Sequence, residues 1–106
     1  MKIARFVSSE IIYVGQLLPG HETARRIVGN PLGEHSITDD VLKVDHLLAP
    51  LVPTDIFCIG VNYARHAAET NSPIPPTPML FIKASGALND PGAAVVLPHN
   101  SKSVDY

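Results

Sequence analysis

At 106 residues and 11.4 kDa the chain has room for one small domain or parts of two. Apolar residues make up 45% and charged residues 17%, which lets it bury a core and excludes a disordered tail. The 8 Lys and Arg against 10 Asp and Glu give a net charge of -2. With no basic run or one-sided cationic stripe, nucleic acid and membrane surfaces are not expected partners.

No apolar run approaches the roughly 20 residues of a membrane span. Arg5 interrupts the start before a signal-peptide core could form. Cys58 is the single cysteine, so neither an internal disulfide nor a cysteine-built zinc site is available, and a reducing, cytoplasmic setting is expected. Proline is the outlier, at 10 of 106 residues against a background of roughly 5%. Six of the ten lie between Pro73 and Pro98.

In chain order, Ile3-Ala4-Arg5-Phe6-Val7 and the run from Ile11 to Leu18 are rich in strand formers. The polar Ser8-Ser9-Glu10 separates them and Pro19-Gly20 closes them, which predicts a hairpin that needs something to pack on. Residues 21–30 fit neither the helical nor the strand period. Asn30-Pro31-Leu32-Gly33 is a turn, and only a short amphipathic piece is expected between Asp39 and Leu48. Pro50 and Pro53 then force extended backbone and mark the best boundary, dividing the chain into 1–53 and 54–106.

Beyond that boundary Ile56-Phe57-Cys58-Ile59-Gly60-Val61 is continuously apolar, as in a strand buried on both faces. Cys58 should behave there as a small buried hydrophobe. Asn62 is an acceptable N-cap for one to two turns of alanine-rich helix reaching Glu69. Thr70 to Pro78 must be an extended loop. Met79-Leu80-Phe81-Ile82-Lys83 predicts a second buried strand, and Ala93 to Pro98 a third. The fold class expected is mainly β with one short helix.

Chemistry is concentrated at the strand ends, where a scaffold can present side chains. His66 and Glu69 are three apart, so on a helix they share a face with Cβ atoms about 5–6 Å apart. A carboxylate on one ring nitrogen fixes the tautomer, raises ring basicity and leaves the other nitrogen to take a proton from water. A casual surface pair has the same spacing, and spacing alone favours it. A helical metal pair would want the order Glu-x-x-His and partner helices. Lys83 is either a cation at a pocket rim, suited to a carboxylate or enolate oxygen, or a snorkelling lysine at a sheet edge. Gly60 lacks the further glycines of a phosphate loop. His21, His35, His46 and His99 have no partners at ligand spacing.

The segment Ile56-Phe57-Cys58-Ile59-Gly60-Val61-Asn62-Tyr63-Ala64-Arg65-His66-Ala67-Ala68-Glu69 strongly resembles the fumarylacetoacetate hydrolase family. That family shows a buried strand, then Gly-x-Asn-Tyr, two residues, His, two residues, Glu. Pro78-Met79-Leu80-Phe81-Ile82-Lys83 resembles its Pro-x-Leu-Phe-x-Lys strand, and Ala87 to Pro98 continue in register. Residues 1–53 resemble the small N-terminal domain of bacterial members.

The resemblance implies that His66 and Glu69 form a water-activating pair and that Lys83 steadies substrate charge. It also implies that Gly60, Asn62 and Tyr63 contact substrate. The substrate class would be small 2-oxo or β-diketo acids, undergoing C–C hydrolysis, decarboxylation or isomerisation. A magnesium, manganese or calcium ion and a homodimer are implied for the complete enzyme. The family's metal ligands follow an Asp-Tyr step like Asp105-Tyr106, so within the chain no metal ligand is assigned, and metal-free, inactive behaviour is expected of it alone. The competing expectation is a naturally short, non-catalytic assembly or interaction protein.

Overall fold

The computed structural model describes residues 1–102; the Val104-Asp105-Tyr106 step lies outside the described residues. The chain is mainly β with one short helix and two separate sheets, as expected. Its contacts divide it into two compact units, Met1–Leu51 together with residues from Asn89 onward, and Val52–Leu88.

The first unit is a five-stranded antiparallel sheet: β1 (Ile3–Ser8), β2 (Ile11–Leu17), β3 (Thr23–Gly29), β4 (His35–Lys43) and β5 (His46–Leu47), in the order β4-β3-β2-β1-β5. The β1–β2 hairpin forms where its strand formers and polar break placed it. Ser9 and Glu10 close it with φ of 48° and 67°, the two left-handed positions of a type I′ turn. Residues with a Cβ pay about 1–2 kcal/mol each there, which is why Asn-Gly is the usual pair. Asp45 offsets part of that strain. Ser9 N–H donates to its Oδ2 at 2.8 Å, and Lys43 Nζ lies 3.1 Å from its Oδ1.

The segment from residue 21 to 48, ambiguous by period, is two long strands and a short one. A register shift between Arg25 and Ile27 resets the pairing of β3 with β4, so a single alternation never runs the length of either strand. Hence β4 begins at His35, ahead of the amphipathic piece expected from Asp39, and ladder bonds decide its conformation.

Phe6 is the centre of this unit, fully shielded from water. Gly15, paired with Ala4, lets the sheet close over it. A Cβ at Gly15 would come within 3.0 Å of the Phe6 ring and 2.6 Å of the Arg25 carbonyl oxygen. Tyr13 stacks tilted against Phe6 at 6.2 Å, and the Arg26 guanidinium sits 5.6 Å over the Tyr13 ring. Buried Ala49 donates its N–H to Asp90 Oδ1 at 2.6 Å and accepts from Arg5 Nη1 at 3.3 Å.

The second unit is an antiparallel ribbon of β6 (Ile56–Gly60) and β7 (Met79–Lys83), with helix α1 (Ala64–Glu69) and the proline-rich loop between them. β6 is expected from its sequence to be buried on both faces and β7 to be buried as well, and here they are not. Burial merely alternates in β6, Cys58 is half-buried, and every residue of β7 is exposed. The register puts Phe57, Ile59, Leu80 and Ile82 on one face, at 44–66% exposure. A two-stranded ribbon has no second layer to cover such a face, whatever the hydrophobicity of its sequence. The strand expected at Ala93–Pro98 does not form either. Val95, Val96 and Leu97 are exposed and have no ladder partner among the described residues.

Two outcomes follow for the first unit. Phe6→Ala should destabilise it by about 3–5 kcal/mol in a urea melt, the range for emptying a buried aromatic site; a loss under about 1 kcal/mol would mean the sheet does not depend on that ring. The Ser9 N–H, then Lys43, holds the Asp45 carboxyl below its ordinary 3.8. A depressed carboxylate stabilises the fold above the ordinary value, and that contribution is lost as pH falls below 3.8 through the folded value. Asp45→Asn should therefore flatten the fall of the urea midpoint with acid in that window, and an unchanged acid slope would refute the assignment.

Candidate functional site

The pairing of Gly60 with Met79 closes a loop that holds everything from Val61 to Pro78. Immediately after β6 the backbone turns through Val61, at φ 50°, into Asn62 and Tyr63. Helix α1 then starts from Tyr63, not Asn62. Tyr63 is in extended backbone (φ -115°, ψ 125°) and its carbonyl accepts the Ala67 N–H at 3.1 Å, but no side chain caps this end. Asn62 stands one position too early to reach the orphan N–H groups.

Six residues make a marginal helix, so its ends matter. The C-terminal end is closed by a Schellman motif. Asn71, at φ 51°, occupies the left-handed position; Ser72 N–H bonds Ala67 O at 2.8 Å and Asn71 N–H bonds Ala68 O at 3.2 Å. Thr70 adds its Oγ1–H to the His66 carbonyl at 2.9 Å, where its own N–H also arrives at 3.1 Å. Ala67 is the helix's buried contact. His66 and Glu69 are held by this capped turn.

The structure brings His66 and Glu69 together. Nδ1 of the ring lies 3.9 Å from Glu69 Oε2, with 45% and 63% of the two side chains exposed. That is an ion-pair distance, longer than the roughly 2.7–3.2 Å of a hydrogen bond. A rotamer adjustment of under about 1 Å would close it. At this exposure the pair adds little to stability.

Gly60 and Asn62 line a cavity of about 210 Å³ together with Ile59, Val61 and the loop Ile74-Pro75-Pro76-Thr77-Pro78. Apart from Asn62 and Thr77, the lining residues carry apolar side chains or none, and backbone groups contribute polar surface beside them. Tyr63 is 73% exposed and is not among the lining residues. Lys83 pairs with Ile56, at the other end of the ribbon from the Gly60–Met79 pair. Four residues of strand put it about 13 Å along β7 from Met79. It is exposed, and its ammonium makes no hydrogen bond or ion pair among the described residues.

Sequence reasoning placed His66 beside Glu69 and singled out Gly60 and Asn62, but missed Val61 and the proline loop as cavity walls. The available signal was the pair of apolar runs: once they pair antiparallel, the two loop ends must meet. Among the described residues no three His, Cys, Asp or Glu side chains cluster as a metal centre.

Comparison with known proteins identifies the architecture. The family model for the C-terminal region of fumarylacetoacetate hydrolases matches residues 55–106, and a Rv2993c-like N-terminal model matches residues 1–50. The chain belongs to the fumarylacetoacetate hydrolase family. A 2,4-didehydro-3-deoxy-L-rhamnonate hydrolase from Sphingomonas is 53% identical over 51 residues, covering 48% of this chain and 18% of that protein. The mitochondrial oxaloacetate tautomerase Fahd2a of Rattus norvegicus is 40% identical over 60 residues, covering 56% of this chain and 19% of that protein. A solved structure from Mycobacterium abscessus superposes with a TM-score of 0.61 at 31% identity, over 80% of this chain and 34% of that one. The chain thus spans about a third or less of these fumarylacetoacetate hydrolase relatives. Gly60, Asn62, Tyr63, His66, Glu69 and Lys83 all fall within the residues matched by the C-terminal family model.

Proposed function

We propose that the protein is a fumarylacetoacetate-hydrolase-type enzyme acting on small 2-oxo or β-diketo acids, with His66 and Glu69 as its water-activating pair. Relatives named as a hydrolase and a tautomerase support that general type of activity. The observation that carries the dyad is its geometry: Nδ1 of His66 faces the Glu69 carboxylate from a helix whose C-terminal turn is locked.

The chemistry follows from that orientation. Glu69 favours the tautomer with the proton on Nδ1 and stabilises the imidazolium once it forms. Nε2 then accepts a proton from water, whose oxygen attacks the remote carbonyl of a β-diketo acid. The C–C bond breaks with its electron pair on the carbon beside the 2-oxo group, giving an enolate. The proton held by His66 completes the second product. The same base could instead move a proton between carbon and oxygen, as tautomerisation requires.

Lys83 is proposed as the cation for substrate charge, which requires it to be met by an element beyond the ribbon's loop end. Gly60, Asn62 and Tyr63 are proposed as substrate contacts, with the cavity supporting the first two. A magnesium, manganese or calcium ion, a homodimeric assembly and a cytoplasmic location belong to the same proposal through the family resemblance and the single cysteine. The described residues offer no cluster to hold the metal, and no step is routed through it. No helix among the described residues is long and apolar enough to cross a membrane.

His66→Ala in the whole protein should lower turnover of a 2-oxo acid substrate by at least about 100-fold, the low end of a general-base contribution. Turnover within a few-fold of wild type would remove His66 from the chemistry.

A further inference from the structure

Among the described residues, five other than glycine have positive φ, and four of them are Ser9, Glu10, His21 and Asn71. The fifth is Val61, at 50°. Polar residues, Asn above all, are tolerated there because a short side chain can bond locally. A β-branched residue is not, because both γ-carbons crowd the backbone. Glycine relieves the position entirely, and the chain uses it at Gly20, Gly29 and Gly92. Val61 therefore sits in a conformation its side chain opposes, and it does so among the residues that line the cavity. Backbone strain of this kind persists where the surroundings or the function demand the side chain.

The demand is visible in the cavity. Val61 is half-buried and lines the cavity with Ile59 and the proline-loop residues Ile74 to Pro78, in sequence between the two candidate contacts Gly60 and Asn62. At about 210 Å³ the space is smaller than the roughly 300–1,000 Å³ of drug-sized sites, which suits a small molecule with a short carbon chain. We infer that Val61 is a specificity-determining residue, its isopropyl group packing against the alkyl portion of a bound 2-oxo acid. This rests on the reading of the protein as a 2-oxo acid enzyme. It adds that the protein prefers acids with an aliphatic tail over the shortest member of the class.

The test is equilibrium binding to the whole protein by calorimetry, with magnesium in the buffer, using pyruvate and 2-oxohexanoate as probes. Wild type should bind 2-oxohexanoate about tenfold or more tighter, since each buried methylene is worth up to about fourfold. Val61→Ala keeps the backbone demand and removes only the two methyl groups. It should shrink that preference by about threefold or more while leaving pyruvate affinity within about twofold. Val61→Gly should shrink it at least as far, with a thermal midpoint no lower than wild type because strain is released. Equal binding of the two acids by wild type would overturn the inference, as would an undiminished preference in Val61→Ala. A Val61→Gly midpoint well below wild type would overturn its backbone basis. Binding of neither acid would instead overturn the 2-oxo acid reading itself.

Discussion

Everything proposed for the second unit depends on one ladder, the antiparallel pairing of Ile56–Gly60 with Met79–Lys83. Fixing Gly60 opposite Met79 brings the two ends of a long, proline-loaded loop to within one strand spacing, about 5 Å. The cavity is the consequence, because the strand exit and the proline loop are forced side by side. Prolines suit that loop since their restricted φ lowers the entropy lost on closing it. The same ladder places Lys83 at the far end, so one pairing both assembles part of the site and separates another candidate from it.

The helix inside the loop shows how local bonds substitute for a core. Six residues with one buried alanine cannot persist on propensity. The Asn71 Schellman closure and the Thr70 hydroxyl satisfy the carbonyls that would otherwise pull the turn apart. What they preserve is the shared face of His66 and Glu69. The first unit uses a related device, with the Asp45 carboxylate gripping a strained Ser9-Glu10 turn across the sheet.

Much of this was legible in the residues. Strand formers with a polar break announced the first hairpin, two apolar runs announced β6 and β7, and His66 three residues before Glu69 announced a shared helical face. The failures have physical causes. A register shift hid β3 and β4 from any single period. Apolar runs at 56–60 and 79–83 report what a strand is suited to pack against, not whether a covering layer is present, so their burial was misjudged. Val95-Val96-Leu97 has strand propensity but no ladder partner among the described residues, and propensity without pairing leaves coil. Backbone sign at Val61 leaves no trace in composition at all.

In the proposed chemistry His66, oriented by Glu69, presents a ring nitrogen to the water that reacts with a 2-oxo acid. A crystal structure of the whole protein with a bound 2-oxo acid, at a resolution that locates water, tests it most directly. The expected result is the His66–Glu69 contact tightened to hydrogen-bond length, with a water bridging the opposite ring nitrogen and the ligand carbonyl at about 2.6–3.2 Å on each side. A His66 ring turned to bulk solvent, touching neither ligand nor an ordered water beside it, would remove His66 from that role.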